Sequence, residues 1–164
     1  RRMRDEAQFL DCREIKCAPQ VFLGAAGSPY ASKPSIQAMR EEKKANAGTQ
    51  FMQTNLVFDF EGFERYLEAL EKRGVPQRTP ILAGISPVRS AKAALAMRPV
   101  PGLTIPDAVV SRLEASSDAK EESVQMTLEL IDKVKRLPGV RGIHFMAVGW
   151  ESIVPRLITE SGLR

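Results

Sequence analysis

Histidine, cysteine and tryptophan are scarce in this chain, and each scarcity closes off a kind of chemistry. The single histidine, His144, excludes the His/Cys clusters of most zinc hydrolases, so no metal is expected. Two cysteines, Cys12 and Cys17, are too few for a disulfide framework, and their C-x4-C spacing lacks a second pair. A reducing cytoplasm is the expected compartment. No apolar run approaches the roughly 18 residues of a membrane helix. A strong excess of one sign of charge is missing as well. The 24 basic and 20 acidic side chains leave +4, an excess that suits a small anionic ligand, with neither nucleic acid nor membrane expected as a partner. The first residues, Arg1-Arg2-Met3-Arg4, include no initiator methionine, which suggests a chain taken up partway through a longer one.

What is present is an ordinary globular composition: 164 residues, 43% hydrophobic and 27% charged. Four short apolar runs read as buried strands: Val21–Ala26, Phe51–Phe58, Ile81–Ile85 and Ile143–Val148. Phe22, Met52 and Leu82 follow one another at intervals of 30 residues, and His144 comes 62 after Leu82. The spacing predicts β-α units of one size, the last interval being enlarged by an insertion at Pro99–Ser117. Strands alternating with helices in this way indicate an α/β fold with a parallel sheet. Helices are expected over Ser32–Ala47, from Asp59 to Gly74, over Ser90–Arg98, from Asp118 to Leu137, and over Glu151–Ser161. Arg1–Ile15 reads as the tail of an earlier helix.

In parallel β-α folds, ligands gather where the strands end. The loop Gly24–Tyr30, with its small residues Ala26, Gly27 and Ser28, fits either a tight βα turn or a backbone that a flat ligand can approach. Arg40, Lys43 and Lys44 share a helix face and suit either bound phosphates or the helix C-terminus alone. Alternation puts Gln53 and Asn55 on one face of the second strand. Amides there need partners: neighbouring strands, water, or the mixed donor–acceptor edge of a heteroaromatic ring such as a pterin. His144 reads as a hydrogen-bonded core residue. Trp150 sits where an indole stacks on a planar ligand or closes the rim of the sheet.

Four stretches, Phe22–Pro29, Glu42–Asp59, Leu82–Val88 and Gly142–Glu151, resemble the methylenetetrahydrofolate reductase family in order and spacing. The Gln53-Thr54-Asn55 and Met146–Glu151 versions look most like the branch of acetogens and related bacteria, in which the reductase often works with a partner protein. The resemblance implies the C-terminal half of a (β/α)8 barrel over residues 20–164, preceded by the end of a helix and a connector over 1–19. It implies FAD, or FMN, held by Ala26, Gly27, Ser28, Arg40, Lys43 and Lys44. It also implies methylenetetrahydrofolate oriented by Gln53 and Asn55 with Trp150 walling the site, and NAD(P)H or a partner protein as electron donor. Asn55 stands where most members carry Gln, Ser28 replaces a Tyr with Tyr30 nearby, and Gly149-Trp150 replaces Asn-Arg. The family's general acid, a Glu on the first barrel strand, has no counterpart here. No catalytic residue is therefore expected in these units, and an oligomer or dependence on a preceding half is. Two alternatives use the same residues: a non-catalytic flavin- or pterin-binding half-barrel, and a corrinoid-linked pterin methyltransferase.

Overall fold

The computed structural model describes residues 2–163; Arg1 and Arg164, the outer bounds of the two expected segments, lie outside the described residues. Four parallel strands pair in sequential order: β1 (Gly24–Gly27), β2 (Phe51–Leu56), β3 (Ile81–Ile85) and β4 (Val140–Phe145). Helix α1 spans Arg2–Asp5 only, and helix α2 (Pro34–Asn46) follows β1. Helix α3 (Phe60–Glu71) follows β2, and α4 (Ala91–Met97), α5 (Asp107–Ala115) and α6 (Ala119–Val134) lie between β3 and β4. A 3-10 turn at Glu151–Ile153 leads into α7 (Val154–Glu160). The expected α/β architecture is present, with the additional helix α5 in the long segment between β3 and β4. No helix among the described residues is long and apolar enough to cross a membrane.

Helix starts follow the expected chemistry. The Asp59 carboxylate accepts from the Gly62 N–H at 3.0 Å, the Ser90 hydroxyl from Ala93 at 3.2 Å, and Asp118 from both Lys120 and Glu121 at 3.1 Å. Glu121 does not reach back to complete a capping box. Its two oxygens accept from Arg156, both at 2.7 Å, which fastens α7 to α6 and lowers the Glu121 pKa to about 2. Arg112 similarly ties α5 to Glu129 and Glu122 of α6.

The core lies between the sheet and its helices. Met52, Phe63, Tyr66, Leu70, Ile81, Ile85 and Ile131 are fully buried in it, and such side chains contribute about 1.5–3 kcal/mol each on burial. Burial alternates strictly along β2, with Met52, Thr54 and Leu56 toward the helices and Phe51, Gln53 and Asn55 on the other face.

Three expectations are corrected. The first strand begins at Gly24 rather than Val21, because Val21 and Phe22 are 47% and 70% exposed and the Phe22 ring stacks on Phe51 at 5.2 Å. The last strand runs three residues earlier than predicted. It pairs with β3 from Ile81↔Val140 to Ile85↔Phe145, after which Val148, 86% exposed, donates back to the Met146 carbonyl. The N-terminal segment is not a helix as far as Ile15. Ala7 and Cys12 adopt positive φ, and Gln8 and Glu14 form an antiparallel bridge.

Candidate functional site

The exposed face of the sheet holds a pocket of about 370 Å³ lined by Gly24, Ala25, Ala26, Phe51, Gln53, Thr54, Asn55, His144 and Met146. Three strands supply it. The small residues of β1 form one flat side, and no side chain longer than a methyl group projects from them. The amides of Gln53 and Asn55 form the middle, and His144 with Met146 the far side. Gln53 Nε2 and His144 Nδ1 are 3.4 Å apart. With the Gln53 NH2 directed at the ring, the Gln53 carbonyl is left for another donor.

An irregularity in β2 sets the aim of Asn55. Gln53 pairs with Leu82 and Leu56 with Gly84, so β2 spends one residue more than β3 between these points. At this bulge the Thr54 hydroxyl takes the place of a backbone carbonyl. Its Oγ1 accepts from the Gly84 N–H at 3.0 Å and donates to the Asn55 carbonyl at 2.9 Å. Bulges of this kind redirect a side chain without ending the strand.

The connection between α4 and α5 also reaches the site. Val100, Pro101, Gly102 and Leu103 form a turn in which the Leu103 N–H donates to the Val100 carbonyl at 3.2 Å and Gly102 has φ +79°. A β-carbon on Gly102 would lie 3.0 Å from Asn55 Nδ2. Gly102→Ala is therefore expected to displace that amide by a few tenths of an ångström. Gly74→Ala is the control, because it imposes the same left-handed backbone (φ +62°) far from the pocket. Equal perturbation of the Asn55 side-chain amide resonances by the two variants, followed by NMR, would remove Gly102 from the site.

The other sequence-predicted residues lie as follows. Ala26 lines the pocket, and Gly27 and Ser28 continue the loop beyond it. Arg40 and Lys43 are exposed on α2, and Lys43 has no ion-pair partner among the described residues. Lys44 donates to the Ala26 carbonyl at 2.6 Å and pairs with Glu41 at 2.7 Å. Tyr30 turns away from the pocket, its hydroxyl donating to the Asp59 carbonyl at 2.7 Å. Trp150 is half-buried ahead of the 3-10 turn and is not among the pocket-lining residues. Sequence reasoning missed Gly102, the pairing of His144 with Gln53, and two buried residues of α2, Gln37 and Glu41. Gly102 was legible only as part of the Pro99–Ser117 segment, because its contact with Asn55 is tertiary and leaves no local signal.

A flat ring system carrying a phosphate fits these residues. Ala26 presents only a methyl group to the pocket, the Phe51 ring lies flat against Gly24, and two exposed cations, Arg40 and Lys43, lie on the helix that follows.

The methylenetetrahydrofolate reductase family model matches residues 14–162. A Caenorhabditis elegans protein named probable methylenetetrahydrofolate reductase (NADPH) is 27% identical over 153 residues, 86% of this chain and 22% of its own. Methylenetetrahydrofolate reductase 2 of Schizosaccharomyces pombe is 24% identical over 129 residues, 74% of this chain and 20% of its own. A solved structure, an uncharacterized Clostridium thermocellum protein that binds two copies of 5-methyl-5,6,7,8-tetrahydrofolic acid, superposes with a TM-score of 0.66 at 19% identity. That superposition covers 90% of this chain and 54% of the other. The chain thus spans about a fifth of the length of the curated relatives it matches and about half of the solved chain. With the family model extending over nearly all of its residues, from the N-terminal bridge to the end of α7, the chain belongs to the methylenetetrahydrofolate reductase family.

Proposed function

We propose that this chain supplies the last four β-α units of a flavin-dependent (β/α)8 barrel that reduces 5,10-methylenetetrahydrofolate to 5-methyltetrahydrofolate. The observation that carries this reading is the pair of amides, Gln53 and Asn55, on the pocket face of β2 beside a β1 built of small residues. Each amide offers both a donor and an acceptor, which matches the alternating polar edge of a pterin. The Clostridium thermocellum protein that shares the fold binds a methylated folate, which supports the same ligand class.

In this reading Gln53 and Asn55 hold the pterin edge, and His144 fixes the orientation of Gln53. Ala26, Gly27 and Ser28 lie against the flavin ring, and Arg40 and Lys43 meet its phosphate groups. FAD, or FMN, supplies the hydride for the methylene carbon when bound. These units contain no carboxylic acid on the pocket face, so the proton for the bridge nitrogen comes from outside them. The electron donor, NAD(P)H or a partner protein, also acts outside them, and Trp150 borders the route to the site.

The outer edges of β1 and β4 pair with no strand among the described residues. Unpaired edges seek partners, so the chain by itself is expected to self-associate or to require a preceding half-barrel. The test is to express the reading frame that carries this chain and purify it without added cofactor. Bound flavin, together with 5-methyltetrahydrofolate-dependent bleaching of its absorbance, is the expected result. A colourless protein that binds the folate and transfers its methyl group would overturn the flavin-dependent reduction.

A further inference from the structure

Most of the charged side chains of α2 face solvent, but Gln37 and Glu41, one turn apart, are buried, and Glu41 completely so. A buried carboxylate costs several kcal/mol unless its oxygens are partnered. Here the partners belong to the loop after β1 and to Lys44. Glu41 Oε1 accepts the Ser28 N–H at 3.2 Å, and Gln37 Nε2 donates to the Ser28 carbonyl at 2.7 Å. Both backbone groups of one loop residue are therefore held by side chains at i and i+4 of one helix. Glu41 Oε2 pairs with Lys44 at 2.7 Å, and the same ammonium donates to the Ala26 carbonyl at 2.6 Å. A cation that served only the helix C-terminus would stay in solvent, whereas Lys44 is turned back onto the loop. Tyr66 closes the rear of the cluster. A β-carbon on Gly27 would lie 2.9 Å from its hydroxyl, which is buried without a hydrogen-bond partner.

We propose that Glu41 is a positioning residue for the Ala26–Ser28 loop and that, by pairing with Lys44, it leaves Arg40 and Lys43 as the cations offered to a ligand's phosphate. The second half rests on the reading of this loop as a flavin-contacting surface; the first does not.

Two variants test it. Glu41→Gln keeps an oxygen for the Ser28 N–H but releases Lys44. Glu41→Leu combined with Lys44→Met removes the buried carboxylate together with its half-exposed partner, which avoids stranding one charge. Amide exchange at Ser28 in the unliganded protein, followed by NMR, is expected to stay within about threefold of wild type in the first variant and to rise about tenfold or more in the second. The β2 amides serve as the internal control for folding. Flavin mononucleotide and riboflavin differ by the phosphate, and Glu41→Gln is expected to raise the preference for the mononucleotide by about two- to fivefold. Adding Lys44→Met should restore the wild-type ratio. Unchanged Ser28 exchange in the Leu/Met variant overturns the positioning role, and an unchanged mononucleotide preference in Glu41→Gln overturns the charge assignment. If the wild-type protein binds neither flavin, the flavin reading falls and the charge assignment with it, while the exchange measurement still decides the positioning role.

Discussion

Gly84→Ala is expected to lower the unfolding free energy by about 3 kcal/mol or more, a large part of the stability of a typical domain. Gly84 sits in β3 directly against the bulge of β2. Its N–H donates to Thr54 Oγ1 at 3.0 Å and its carbonyl accepts from the Val57 N–H at 2.8 Å, so it is bound to β2 on both sides. A β-carbon there would overlap the Thr54 carbonyl oxygen and lie 2.9 Å from that of Asn55. Neither obstacle is a side chain that can swing aside. Relief requires β2 and β3 to separate at the centre of the sheet, between the core residues Met52 and Ile85. Urea denaturation of the variant checks this, and a loss below about 1 kcal/mol would mean that the strands part more easily than backbone packing allows.

Replacing Gln53 and Asn55 together by alanine is expected to weaken 5-methyltetrahydrofolate binding by about a hundredfold or more. A site that hydrogen-bonds its ligand loses both the bonds and the match of polar groups when they are removed. The two side chains point away from the buried face carrying Met52, Thr54 and Leu56, so the core is left intact and the far-ultraviolet spectrum should not change. Titration calorimetry of the wild type and the double variant makes the comparison. A folate affinity within threefold of wild type would take the pterin away from these amides.

Much of the architecture was legible because each unit carries its own punctuation. Asp59, Ser90 and Asp118 cap the helices they precede, and alternation along Phe51–Leu56 placed Gln53 and Asn55 on one face. Strand ends were less legible, since the length of a strand is decided by its neighbour. Val21 and Phe22 are as apolar as any strand residue, yet the register with β2 starts at Gly24↔Phe51, and before it only the Gln50 N–H reaches across, to the Leu23 carbonyl. The site was legible only in part for a similar reason. The sequence of α2 reads as a charged surface helix, and nothing local distinguishes the buried Glu41 from the half-buried Glu42 beside it. That difference arises from the Ser28 N–H, thirteen residues away in the chain. His144, read as a core residue, lines the pocket, because its face of β4 is turned to the same side as Gln53.

The turn at Val100–Leu103 bears on how this protein tolerates recombination. Asn55 belongs to the second β-α unit, Gly102 to the segment after the third, and His144 to the fourth, yet Asn55 and His144 line one ligand-sized space and Gly102 lies against the Asn55 amide. No unit carries the pocket by itself. Exchanging a single unit with a relative will preserve the hydrogen-bonded ladder, which any parallel strand of matching length can join, while separating Asn55 from the glycine that borders it. Chimeras cut between β2 and β3 will therefore fold more often than they bind, whereas an exchange that moves residues 51–148 as one block keeps Gln53, Asn55, Gly102 and His144 in register.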